Sequence, residues 1–371
     1  MLRRLSSFHI ATTSHSSLRL FSSSPSPSDL IPSTILSALS PHLDPPHHTH
    51  PPPNIIVSVS SGPDSICLLR SLLLHPSLPK PHVVHFDHST RPASTNSGTS
   101  STNADDISLI TSLCADLNLP LSIHKLPPTA TFSQQFARTW RYDKLQSHAI
   151  PATTNVILTG HHWDDDVETF IMKLLRGVHL TNLVGMTQDR TLASSSTSQC
   201  VLIRPLLTIP KHKITNFCES NSWSYNVDPS NAKTFTPGYF RNTVRNALVP
   251  MLERVLESRD EAAAATGGDR LREIAKVYGE QSRELGEYLD AETGEFLATH
   301  AVHGNNGVSN LAVPLAAIGY IGKRGVHSWI ARTTGESVSY KNAQFVFNKL
   351  DGKSEKLVWE QQVGGGVSVC R

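Results

Sequence analysis

Apolar positions along this chain come in short solid runs separated by stretches that alternate with a helical period. NIIVSVS (54–60) is apolar on both faces, the pattern of a buried parallel strand, and DSICLLRSLLLH after it reads as a helix. HVVHFDH (82–88) predicts a second strand and LSIHKL (121–126) a third. Between them DDISLITSLCADLNLP places Ile107, Ile110, Cys114 and Leu117 on one helical face. FSQQFARTWRYDKLQSHA predicts a helix with Phe136, Trp140 and Leu145 turned inward. NVILTG (155–160) is a fourth strand, and DDDVETFIMKLLRG a helix closed by Gly177. STSQCVLIRPLL holds a fifth strand. Strands alternating with helices predict an α/β fold built on a doubly wound, Rossmann-like parallel sheet, with ligands at the C-terminal strand ends.

The flanks read differently. Residues 1–28 hold three arginines, many serines and no acid, the composition of a mitochondrial transit peptide; residues 1–30 are assigned to it, and a mitochondrial matrix location is expected. Residues 31–53, rich in Pro and His, are read as a linker, with 54–250 as the catalytic domain and 251–371 as a helical and mixed region. Removing three arginines from a net charge of +2 leaves a chain near −1, so charge alone does not mark a nucleic-acid binder. The apolar run 311–322 is too short for a bilayer. Five cysteines without a CxxC spacing argue against a zinc ribbon, an iron–sulfur site and a secreted disulfide scaffold.

Two stretches carry chemistry. Ser60-Ser61-Gly62-Pro63-Asp64-Ser65 joins strand to helix through small residues. Hydroxyls and free N–H groups at a helix N-terminus hold phosphate, although an ordinary capped helix with an acid in its first turn has the same outline. Walker A and GxGxxG spacings are absent. The second stretch, GHHWDDDVET (160–169), puts Asp164 or Asp165 on one helix face with Glu168. Such crowding suits a cation, Mg²⁺ or an ammonium group, and exceeds what helix capping requires.

The hexapeptide is similar to the SGGxDS loop of pyrophosphate-forming PP-loop ATPases, with Ser61 in place of a glycine. GHHWDDDVETFIMKLLRG resembles the HHxDDxxET…RG motif of the tRNA(Ile)-lysidine synthetase family. HFDHSTR (85–91), ARTWRY (137–142), LIRPLL (202–207), VDPSN (227–231) and YFRNTVRNALVPML (239–252) resemble further elements of that family in the same order, covering about 54–255. The resemblance implies ligation of L-lysine to the wobble cytidine of tRNA(Ile) with a CAU anticodon, through an adenylated cytidine, with ATP and Mg²⁺ as cofactors. It implies that Ser60, Ser61, Gly62, Pro63, Asp64, Ser65, His88 and Arg91 hold the nucleotide. Asp64, Asp165 and Glu168 are implied metal or ammonium ligands, His162 an orienter of cytidine and Arg204 a stabiliser of adenylation. Arg138, Arg141, Arg241 and Arg245 are implied tRNA contacts, with Lys211, Lys213 and Lys233 on the same surface. A homodimer is left open. The rival expectations are a tRNA thiolase of the same ATPase group and a tRNA-binding relative without catalysis.

Overall fold

The structure, a computed structural model, describes residues 30–43, 52–87, 103–127, 134–192, 200–236, 238–258, 269–303, 309–311, 320–321, 324–325, 328–329, 360–364 and 367–370. Two compact units make up the chain: one drawn from Met1–His162 and Gln188–Asp228, the other from Trp163–Thr187 and Pro229–Arg371. His88 and Arg91 lie outside the described residues, as do the leader expected over 1–28 and Gly267-Gly268.

The first unit holds six strands: β1 (Asn54–Ser58), β2 (His82–Asp87), β3 (Leu121–Lys125), β4 (Asn155–Thr159), β5 (Asp189–Leu192) and β6 (Cys200–Ile203). Their spatial order is β3-β2-β1-β4-β6-β5, all parallel except β5. Ile55 and Val57 of β1 and Val156 and Leu158 of β4 pack into one core; Ile56 and Ile157 face a smaller one on the other side. That alternation makes both strands apolar at every central position, which is why they stood out in the sequence. Helices α1 (Leu30–Leu43), α2 (Pro63–Leu72) and α3 (Asn103–Asp116) cover the larger core. Leu145 of α4 (Gln134–Gln146) packs into the smaller one.

Three expectations change. The linker reading fails at its start, because Leu30–Leu43 is a helix whose Ile31, Ile35, Ala38 and Leu39 are buried in the main core. The antiparallel edge strand β5 was not anticipated; only its Leu192 is buried, so it carries no hydrophobic signal and exists by pairing with β6. Phe136 is not inward but 38% exposed, while Trp140 sets its ring edge-on to Phe86 at 5.4 Å.

The second unit contains α5 (Trp163–Leu175), which Gly177 follows with φ +64°, the left-handed backbone expected of a C-terminal glycine. Its core joins Val167, Phe170 and Ile171 of α5 to Val244, Leu271 and Ala275. After α6 (Lys211–Ser220), which belongs to the first unit, come α7 (Phe240–Thr243), a π-helical turn over Val244–Leu248, α8 (Val249–Glu257) and the long α9 (Asp269–His300). Two antiparallel strand pairs follow, Ala301–His303 with Ser309–Leu311 and Glu360–Gly364 with Val367–Cys370.

Candidate active site

The order of the sheet places a switch point between β1 and β4. The chain runs outward from β1 through β2 to β3, then returns to the other side of β1. Crevices beyond the C-terminal ends of such strands are where open α/β sheets bind ligands. The segment after β1 is Val59-Ser60-Ser61-Gly62. Gly62 caps α2 in an extended conformation (φ −75°, ψ 157°), and Pro63 takes the first helical position, where its missing N–H has no helical partner to lose. Ser65 ties the turn together: its Oγ accepts from the Ser60 N–H at 3.0 Å and lies 2.7 Å from the Ser60 carbonyl. The Gly62 N–H donates to Ser60 Oγ at 3.3 Å.

Ser61, the departure from glycine, is buried and braced. Its hydroxyl donates to Asp106 Oδ1 at 2.6 Å, and Asn226 Nδ2 donates to the same oxygen at 2.8 Å. The Asn226 N–H closes the ring on the Ser61 carbonyl at 2.8 Å. Asp106 sits in the first turn of α3, where the helix dipole favours a carboxylate. Neither Asp106 nor Asn226 was foreseen, since residues 45 and 165 positions from Ser61 share no local pattern with it.

Asp64 faces two further groups. Lys211, at the start of α6, donates Nζ to Asp64 Oδ1, and His162 Nε2 lies 3.8 Å from Asp64 Oδ2. Lys211 was expected on a tRNA surface and instead neutralises the loop's acid. His162 is 4% exposed and follows Gly160 and His161 at the end of β4. Gly160 permits that approach: a Cβ there would stand 3.1 Å from the backbone carbon of Asp64 and 3.1 Å from the Ser65 nitrogen.

A second group in this unit gathers on Tyr142. Arg138 lies 5.5 Å and Arg190 5.7 Å from its ring centroid. Arg204, 4% exposed, hydrogen-bonds the same tyrosine; burial pulls its guanidinium pKa down and Tyr142 partly restores it. The structure thus joins Arg138 and Arg204, which had been given separate roles. Arg141 is exposed, with Nε donating to the Ala137 carbonyl at 3.4 Å.

The acids of α5 lie in the second unit, and each has a basic or backbone partner there. Glu168 accepts from Arg245 Nε at 2.5 Å and from Arg241 Nε at 2.7 Å. Asp165 Oδ1 accepts from Arg241 Nη2 at 2.9 Å and Arg245 Nη2 at 3.2 Å. Asp164 pairs with Arg272 at 2.6 Å, and Asp166 accepts from the Met186 N–H. Burial of Glu168 without such partners would be costly. The pair expected to hold a metal is therefore already neutralised by two guanidiniums, and Arg241 and Arg245, expected on phosphate, turn their Nε groups to Glu168. Arg245 belongs to the π-helical turn, a backbone irregularity frequent at functional sites. Among the described residues no group of three or more His, Cys, Asp or Glu could hold a metal by itself.

A PP-loop domain matches residues 36–252. The tRNA(Ile)-lysidine synthase of Shouchella clausii (strain KSM-K16) is 33% identical over 207 residues, 54% of this chain and 41% of that protein, so the chain spans about two-fifths of that relative's length. The tRNA(Ile)-lysidine synthase of Gloeobacter violaceus (strain ATCC 29082 / PCC 7421) is 30% identical over 310 residues, 81% of this chain and 83% of that protein. Among solved structures, the U34-tRNA thiolase NcsA from Methanococcus maripaludis with its [4Fe-4S] cluster is similar at a TM-score of 0.46 and 15% identity, covering 70% of this chain and 78% of that one. That last likeness is too distant to carry an argument.

Proposed function

We propose that this chain, which belongs to the PP-loop family and within it to the tRNA(Ile)-lysidine synthases, ligates L-lysine to the wobble cytidine of a CAU-anticodon tRNA(Ile) at the expense of ATP. The observation that carries the reading is the small-residue turn Ser60–Ser65 at the switch point, with Asp64 held between Lys211 and His162. The turn's N–H groups and hydroxyls bind the β- and γ-phosphates, and Lys211 adds a positive charge where pyrophosphate leaves. The cytidine oxygen attacks the α-phosphorus, pyrophosphate departs, and the ε-amine of lysine then displaces AMP from the base. His162 orients the cytidine, and the Arg138–Arg190–Arg204 group balances phosphate charge near the nucleotide.

Mg²⁺ fits at Asp64, whose carboxylate is 26% exposed at the phosphate turn; one carboxylate plus substrate phosphates is a usual Mg²⁺ environment. Bound there, it would screen the acid from the phosphates and withdraw charge from them. Asp165 and Glu168 hold Arg241 and Arg245 in place.

The thiolase reading finds no support in the cysteines. Cys67, Cys114, Cys200 and Cys218 are all buried, and burial pushes the Cys114 thiol up to about 11, so it is no ready nucleophile. No helix among the described residues is long and apolar enough to cross a membrane. The Arg- and Ser-rich, acid-free composition of residues 1–28 supports delivery to mitochondria; residues 1–30 fused to a reporter should take it there, and cytosolic signal would refute it.

The test of the reaction is product analysis with α-labelled ATP. Incubated with the tRNA and lysine, the chain should release AMP and pyrophosphate, and Asp64→Asn should abolish release while melting like the parent. ADP as product, or full activity of the variant, contradicts the reading.

A further inference from the structure

Among the described residues, four non-glycine residues adopt positive φ: Asn118, Ala152, Ser222 and Phe235. Asn118 and Ser222 close helices α3 and α6, where small polar residues commonly take this conformation. Phe235 (φ +55°) is different, because a bulky side chain in the left-handed region is strained. Burial of its side chain does not repay that strain, since Phe235 is 77% exposed, the most exposed of the large apolar side chains described.

The neighbouring side chains hold the strained turn in place. The Phe235 N–H donates to Thr243 Oγ1 at 3.0 Å. Asn246 Nδ2 donates to the Asn231 carbonyl at 2.7 Å and to Thr234 Oγ1 at 3.2 Å. Lys233 stands 4.9 Å from the Tyr239 ring centroid, and these two residues lie two positions before and four after Phe235 in the chain. All of these residues belong to one unit. Strain maintained by surrounding bonds, with an aromatic side chain turned to solvent and a lysine beside it, is a recurrent mark of a binding position.

We infer that Phe235 is a stacking platform for an unpaired base of the RNA substrate, with Lys233 beside it meeting the adjacent phosphate. An aromatic face stacks on any base, and a neighbouring cation follows the backbone, the combination by which single-stranded nucleic acid is held. A protein partner would call for a contiguous apolar patch; the described neighbours of Phe235 in the chain are polar, Lys233, Thr234 and Thr236. The inference rests on the reading that the chain acts on tRNA and adds the residue that grips a loop base.

The test is tRNA affinity of the full chain, measured with a CAU-anticodon tRNA(Ile) transcript across a salt series. Phe235→Ala should weaken binding by about tenfold, the usual loss of one stacked base. The slope of log affinity against log salt should stay the same, because no phosphate contact is lost. Phe235→Trp should restore affinity and Phe235→Leu should not, while Lys233→Ala should flatten the slope. An exposed side chain makes unfolding an unsuitable explanation, and equal melting temperatures would verify this. Parental affinity in Phe235→Ala, or rescue by Leu as good as by Trp, overturns the inference while the proposed function stands. Absence of tRNA binding by the parent chain overturns both.

Discussion

A methyl group on Gly160 would stand 3.1 Å from the backbone of Asp64 and Ser65, closer than real side chains normally approach backbone atoms. The neighbour is main chain at the start of α2, so it cannot swing aside as a flexible side chain would. Gly160→Ala should therefore displace Asp64 by a few tenths of an ångström. The expected outcome is an activity loss of about tenfold, read as AMP formation, with a stability loss of only about 1 kcal/mol. Unchanged activity would show that the contact does not set the loop's position. Ser61 makes the complementary point: a residue that looked like a defect in the phosphate turn has its hydroxyl occupied by Asp106 and its carbonyl by Asn226. Glu168 is the third case. Glu168→Gln removes the charge facing Arg241 and Arg245 and should cost about 2 kcal/mol in denaturant unfolding. A change in Mg²⁺ affinity without a change in stability would instead restore the metal reading of that acid.

Elements were legible where burial was two-sided or periodic. β1 and β4 announced themselves as unbroken apolar runs, and α5 by its acids, its apolar face and Gly177. Helix α1 was hidden by Pro32, Pro41 and the His-rich residues after it, although Ile31, Ile35 and Leu39 recur at helical spacing. Strand β5 was illegible because three of its four residues are exposed and its pairing partner supplies the order. The salt bridges between α5 and the Arg241–Arg245 turn were equally hidden, since about 75 residues separate the partners. One device at this scale predicts a pH response. The His82 and His148 ring centroids lie 4.5 Å apart, tilted by 50°, and His124 Nε2 meets His148 Nε2 at 2.9 Å, a contact in which one nitrogen donates and the other must be unprotonated. Burial, then His82, His124 and Lys144, hold His148 down to about 4 from its ordinary 6.5. The unfolded chain therefore takes up this proton first. The stability it lends is present above about pH 6.5 and is lost as pH falls towards 4. His148→Gln should flatten unfolding free energy against pH in that window; an unchanged slope would contradict the assignment.

At the scale of the molecule, sequence order and spatial grouping do not coincide. The first unit takes its last segment from Gln188–Asp228, and the second takes α5 from the middle of the chain. GHHWDDDVET, read as one catalytic block, is thereby divided: Gly160, His161 and His162 belong with the phosphate turn, and Asp164, Asp165, Asp166 and Glu168 with the arginines of the second unit. Family membership was legible from spaced motifs, whereas the partner of each charged residue was not, because pairing depends on three-dimensional closeness that spacing does not encode. The chain's share of its relatives ranges from 40% to 83% of their length. The most direct test of the central claim is incorporation of labelled lysine into a CAU-anticodon tRNA(Ile) transcript, with ATP and Mg²⁺ present and tRNA(Met) as the control. Label entering tRNA(Ile) in proportion to AMP released, and absent from tRNA(Met), is the predicted result. AMP release without lysine in either tRNA would contradict it.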